Sequence, residues 1–357
     1  MKRRLRSLLL LPPLATVLAG ASCSATPKGA LVLAISTDMQ APKDVNIVSL
    51  FITSDSAVKL DYLGRVLPDG TVALPATLAI VEPDNPGAEI RVRVTAFRDQ
   101  TARVLRDVVT TVPHARTALL RLALDWIDDG DVNGTLPSLY VPGSMSGGVP
   151  VADGVTTYSP IDEPGAVLRP TCSFVDNLTM VDGRCVDATV DSSGLPDYTQ
   201  AAVYGAGGIG SDGSPVDCFD VPSCFATAAP VAGLQASSCS FPLPAGADPA
   251  TFNLALVTQS AGACVAPGRC LVPLAIAPGA GWTIAGGTVQ LLPGVCARMA
   301  ATGAQLSAST GLCPARRLSD PVCQRGTGQG ADGGAPVDAS GGAADAASAA
   351  DVSTGPG

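Results

Sequence analysis

Ten of the eleven cysteines lie between Cys172 and Cys323, so one half of this 357-residue chain can be cross-linked and the other cannot. The ten are Cys172, Cys185, Cys218, Cys224, Cys239, Cys264, Cys270, Cys296, Cys313 and Cys323. Thiols have two structural uses, and spacing separates them. Zinc sites commonly take two thiolates two to four residues apart, often with histidine completing the set. Here the closest pairs, Cys218/Cys224 and Cys264/Cys270, have five residues between them, and the single histidine, His114, lies in the other half. An even set in an exported chain reads instead as five disulfides. The sequence selects no particular pairing.

The N-terminus supplies the export address. Lys2, Arg3, Arg4 and Arg6 precede an apolar run from Leu8 to Ala19, which ends in small residues at Cys23. Charge, apolar run and small-residue exit make an export signal over residues 1–22. The run is about a dozen residues long, short of the roughly 20 that cross a bilayer. Cleavage after Ala21 would leave Cys23 as an unpaired thiol near a new N-terminus, so parity favours lipidation of Cys23. Gly20 stands where a lipobox usually has leucine. Ser24 after the cysteine resembles the signal for onward transport to the outer membrane. The expected location is therefore the outer membrane or cell surface as a lipoprotein, otherwise the periplasm or the medium.

Residues 28–127 read as a β-sandwich domain. Leu31, Leu33 and Ile35 alternate with other residues, as do Val48, Leu50 and Ile52, and Ile90, Val92 and Val94 alternate with Glu89, Arg91 and Arg93. Period-two spacing of this kind puts one face inward and the other toward water. Six or seven such runs in about 100 residues suggest two packed antiparallel sheets. Arg91, Arg93, Arg98, Arg103 and Arg106 read as one solvated sheet face balanced by nearby acids. Residues 128–170, rich in Gly, Pro, Ser and Asp, read as a linker. Residues 171–324 form the disulfide-rich, loop-rich β region. Residues 325–357 hold 9 Gly and 9 Ala with only two larger apolar side chains, Val337 and Val352, and read as a disordered tail. The expected fold is mainly β.

The segments RVLRDVVTTVPHARTALLRLAL (103–124) and GRCVDATVDSSGLPDY (183–198) are similar to a group of exported proteins and lipoproteins of GC-rich Gram-negative bacteria. That resemblance implies an exported two-part protein and carries no activity with it. The strand spacing of the first half also resembles immunoglobulin-like and prealbumin-like modules.

Charge narrows the partners. Residues 28–127 hold 11 basic and 11 acidic residues, whereas residues 128–357 hold 7 and 20. Such an acidic half repels phosphate backbones, which excludes nucleic acid as the expected partner. A membrane enters only through a lipid at Cys23. Asp129, Asp131 and Asn133 match the first half of a calcium loop, alternating oxygen ligands ahead of the turn glycine Gly134. Tyr140 occupies the twelfth position, where a bidentate glutamate belongs, and the same residues also suit a solvated turn. Gly205 to Gly210 fits the dinucleotide fingerprint, but the SDGSPVDCF that follows is turn chemistry, where that site needs a helix. His114 reads as a surface turn residue. No G-x-S-x-G elbow is present.

The expected function is a non-catalytic structural or binding protein of the cell envelope, contacting an envelope or extracellular protein or glycan, with no cofactor other than the candidate calcium. The rivals are a secreted hydrolase using an Asp/Glu pair in the disulfide-rich region, and a calcium-dependent adhesin.

Overall fold

The computed structural model describes residues 28–136, 145–146, 149–150 and 168–324, less residues 56, 68, 69, 71, 84, 86, 174 and 212. The export signal, Cys23 and the tail lie outside the described residues.

Seven strands build the first half: β1 (Ala30–Ser36), β2 (Ile47–Ser54), β3 (Ala57–Arg65), β4 (Ala76–Val81), β5 (Glu89–Arg98), β6 (Thr101–Thr111) and β7 (Thr117–Ala123). They form two sheets, in the orders β4-β1-β7 and β3-β2-β5-β6. All pairs are antiparallel except β1 with β7, which run parallel. The alternation read from the sequence sets the faces: Leu31, Leu33 and Ile35 meet Val48, Leu50, Ile52, Val92 and Val94 in the core between the sheets.

The stretch expected to be a linker begins as part of this fold. β8 (Val132–Asn133) lies across from a strand beyond the gap, and Thr135 bridges to Thr101 of β6. Val132 and Leu136 bury against Ile47, Phe97 and Leu105 on the outer side of the four-stranded sheet. β9 (Met145–Ser146) and β10 (Val149–Pro150) pair with each other, and β11 (Arg169–Pro170) is the partner of β8.

The expected solvated arginine face is also corrected. Arg93 and Arg106 are buried, and Arg91 and Arg93 both bind the fully buried Asp107, at 2.6 and 3.2 Å. The cause is the hairpin of β12 (Leu178–Val181) and β13 (Arg184–Asp187), which lies over β6 and whose Thr179 hydroxyl accepts from the Asp107 N–H at 3.0 Å. Alternating charge marks a water-facing strand only when nothing packs on it.

Beyond α1 (Gln200–Tyr204) and α2 (Val221–Cys224), the second half is built from β14 (Ala229–Pro230), β15 (Ser240–Pro242), β16 (Asn253–Thr258), β17 (Ala263–Ala266), β18 (Arg269–Leu274), β19 (Ile276–Ala277), β20 (Ala280–Ala285), β21 (Thr288–Leu291), α3 (Pro293–Thr302) and β22 (Gln305–Ser309). These strands make a five-stranded sheet, β14-β22-β16-β18-β17, and a four-stranded sheet, β15-β21-β20-β19. Phe252 and Trp282 meet edge to face between them at 5.5 Å.

All ten cysteines pair: Cys172–Cys185, Cys218–Cys323, Cys224–Cys313, Cys239–Cys296 and Cys264–Cys270. A set of five cystines persists in an oxidising compartment, periplasmic or extracellular. Among the described residues, no helix is long and apolar enough to cross a membrane.

The two halves share one hydrophobic core. Leu31, Val94, Leu122 and Trp126 belong to the same buried cluster as Phe241, Leu254, Trp282 and Val295. Polar ties reinforce the seam. Asp44 accepts from the Gly262 N–H at 2.7 Å, and the Gln324 side chain accepts from the Ala41 N–H at 2.6 Å. Gly262 has φ +86°, and a Cβ there would sit 2.2 Å from the Leu271 carbonyl oxygen, so the seam requires glycine at this point.

Candidate functional site

Chemistry-bearing side chains converge at the seam between the halves. Asp38 sits in the loop after β1, Asp125 precedes the short 3-10 turn after β7, and Asp128 ends that turn. Arg106 comes from β6, Asp182 from the turn of the β12–β13 hairpin, and Arg316 from the coil after β22. The two loops are tied together: Asp38 Oδ1 accepts from the Trp126 N–H at 2.7 Å, and the Thr37 hydroxyl donates to the Leu124 carbonyl at 2.7 Å. Arg106 donates to Asp128 at 2.6 Å and to the Ala123 carbonyl at 2.8 Å, while Asp128 also accepts from the Gly183 N–H at 2.6 Å. One carboxylate thereby pins the hairpin to the sandwich.

Asp38, Asp125, Asp182 and Arg316 line a cavity of about 70 Å³, with apolar groups such as Leu74 and Val272 and the polar Arg121, Asp320 and Gln324 on its other walls. That space suits a few water molecules, since one needs roughly 10–15 Å³ on the same measure. Arg316 gives a guanidinium N–H to the Pro273 carbonyl at 2.9 Å and leaves its buried Nε without a partner; the buried Nη1 of Arg106 has none either.

Burial dominates the titration of these groups. It pushes the Asp38 carboxyl well above the usual range, helped by Asp125 and opposed by the Trp126 N–H. It raises Asp125 against the pull of Arg316 and Arg106. Asp182 rises to about 6, by burial and then by the charge of Asp128. Burial also lowers Arg316, which Asp38 and Asp125 partly offset. Two carboxyls with raised values side by side are the pattern of proton-sharing pairs. Here the pair faces a narrow space that it shares with Asp182 and Arg316.

No family model, curated protein or solved structure matches this chain.

The residues proposed for calcium are not brought together. Asp129 has both oxygens on Arg103, at 2.6 Å each, and Arg298 adds a contact at 3.3 Å. Asp131 turns inward, where its carboxylate accepts from the Leu105 N–H at 3.1 Å and burial, then Asp128, push it up to about 8. Asn133 is exposed on β8. Among the described residues, no group of three or more His, Cys, Asp or Glu is placed to hold a metal ion. The glycine fingerprint follows α1, and the next helix starts only at Val221, so no helix N-terminus stands behind it. His114 is largely exposed and binds Glu82 at 2.8 Å.

Sequence reasoning passed over Asp38, Asp125, Asp182 and Arg316. The one available signal was the density of acids around Trp126, in LDWIDDGD, where an aromatic core residue among carboxylates marks acids close to a core.

Proposed function

We propose that this is an exported, envelope-attached protein that acts by binding or by structural support, without turnover of its own. The supporting observation is that the raised carboxyls Asp38, Asp125 and Asp182 line a cavity of only about 70 Å³. A glycosidase needs its two carboxylates on either side of a sugar ring in an open cleft. The chain's investment in five cystines and a shared core suits durability outside the cytoplasm. Attachment would run through a diacylglyceryl thioether on Cys23, followed by the residues leading into β1. The partner class is an envelope or extracellular protein or glycan. The two-sheet first half keeps the resemblance to immunoglobulin-like and prealbumin-like modules as part of this reading.

Two measurements test it. The intact mass of native protein is expected to lack residues 1–22 and to carry a lipid adduct on Cys23; retention of Met1 would remove the export reading. Oxidised protein is expected to show no turnover on glycoside, peptide or ester substrates. Activity abolished by Asp182→Asn or Asp125→Asn would decide for the hydrolase.

A further inference from the structure

The ten half-cystines differ in what can reach them. Cys264 and Cys185 are exposed, and the other eight are buried or half-buried. Exposure opens a cystine to exchange, because an incoming thiolate must reach one of its sulfurs. Charge separates the two. Cys185 lies among Asp182, Asp187 and Asp191, with Arg184 beside it. No Asp or Glu occurs from Pro249 to Ser319, a stretch that carries four arginines, and one of them, Arg269, is exposed next to Cys270. Lys43 of the first half adds to this side, bonding Asp44 at 2.5 Å and donating to the Ser260 carbonyl as well. A thiolate is an anion, so these cations favour its approach to Cys264 over Cys185.

The hairpin is also arranged to accept the product. Cys264 and Cys270 stand directly opposed on β17 and β18, six residues apart in sequence. Cys264 Sγ lies 3.7 Å from the Ser260 carbonyl oxygen, and Cys270 Sγ lies 3.7 Å from that of Gln259. Among the described residues this is the cystine with a carbonyl beside each sulfur, an acceptor that a disulfide cannot use and a thiol can. Ala263 and Leu271 pack with Phe219, Val221 and Phe225, so apolar contact holds the hairpin without the bond.

We propose that Cys264–Cys270 is a thiol-exchange site that takes an incoming thiolate at Cys264. The thiolate attacks Cys264 Sγ, the S–S bond breaks, and Cys270 leaves with the electron pair and takes a proton from water. A mixed disulfide then stands on Cys264, with a thiol on Cys270, which is 1% exposed and so shielded from direct attack. A second thiol of the reductant displaces Cys264 in turn. Two electrons enter the protein, and two reductant thiols leave as their disulfide. The effect reaches the seam, because the Gly262 N–H that donates to Asp44 lies two residues before Cys264.

Limited reduction of the full oxidised chain tests this. Glutathione, or a reduced protein dithiol of the Cys-x-x-Cys kind, is added under native conditions; free thiols are trapped by alkylation at successive times and mapped by peptide mass. Cys264 and Cys270 should open first, roughly tenfold or more ahead of any other pair, with far-UV circular dichroism retained. Glutathione should be caught on Cys264 and the alkyl group on Cys270, and exchange of the Gly262 amide should quicken. Arg269→Gln should slow the opening by roughly twofold at low salt, a difference that fades at high salt. Equal rates per thiol assign the site to small thiols, whereas a marked advantage for the protein dithiol assigns it to an enzyme that docks there. Earlier opening of Cys172–Cys185 or any other pair, glutathione caught on Cys270, or loss of all five cystines together overturns the proposal.

Discussion

At the scale of single residues, the acids of the seam give this protein a pH dependence with a definite sign. Asp131 titrates near 3.9 in an unfolded chain and at about 8 in the fold, because burial and Asp128 disfavour its charge. A carboxyl raised on folding contributes fully below its unfolded value, and that contribution is lost as pH rises through the folded one. Asp38, Asp125 and Asp182 act in the same direction. Glu82, Asp187 and Asp191 are lowered by hydrogen bonds and act oppositely, but only as pH falls through their folded values below the usual carboxylate range. Between about pH 5.5 and 8.5 the raised group therefore governs. Melting temperature should fall across that interval. Asp131→Asn keeps an acceptor for the Leu105 N–H and cannot ionise, so it should flatten the fall. Thermal melts of both proteins at the two limits check this, and a parent whose melting temperature rises with pH would contradict it.

At the scale of elements, the cystines differ in what they restrain. Cys239–Cys296 closes a separation of 57 residues and joins β15 to α3 in the shared core, whereas Cys264–Cys270 closes 6 across the β17–β18 hairpin. On chain-entropy reasoning the first is worth roughly 4 kcal/mol and the second about 2. Paired Cys→Ser variants should follow that order in denaturant midpoint, and a larger loss from Cys264/Cys270 would show that native packing, not loop closure, decides. The strands of the first half were legible because an alternating run such as Ile90-Arg91-Val92-Arg93 declares its own geometry. What covers a strand is not written in the strand. Arg93 and Arg106 look like surface residues until the β12–β13 hairpin, some 70 residues later, is laid over them. Asp129 and Asp131 read as a cation loop for the same reason, since sequence cannot say that Arg103 and the Leu105 N–H already hold their oxygens. Cystine pairing was illegible too, because it joins Cys218 to Cys323 through the fold.

At the scale of the whole molecule, composition suggested two modules and a linker, yet Leu31 and Trp282 occupy one buried cluster. Two modules with separate cores would unfold separately; a single core ties their fates. The chain offers its own probes, because it has two tryptophans and each half holds one. Trp126 follows β7 and has the Arg298 guanidinium of α3 stacked on it at 4.5 Å, while Trp282 on β20 meets Phe252. Trp126→Phe leaves a reporter in the second half, and Trp282→Phe leaves one at the seam. With disulfides intact, the fluorescence transition in each variant should coincide with the loss of far-UV circular dichroism from the whole chain, as all-or-none unfolding requires. Phe252→Ala should cost roughly 3–5 kcal/mol as a buried aromatic truncation. Its decisive effect lies elsewhere: it should shift the Trp126 transition as far as the Trp282 one, although Phe252 belongs to the second half. Such a shift requires that the cavity be felt across the seam. If Trp126 instead unfolded at its parental midpoint while Trp282 moved, the two halves would be separate cooperative units, and the shared cluster would be contact without coupling.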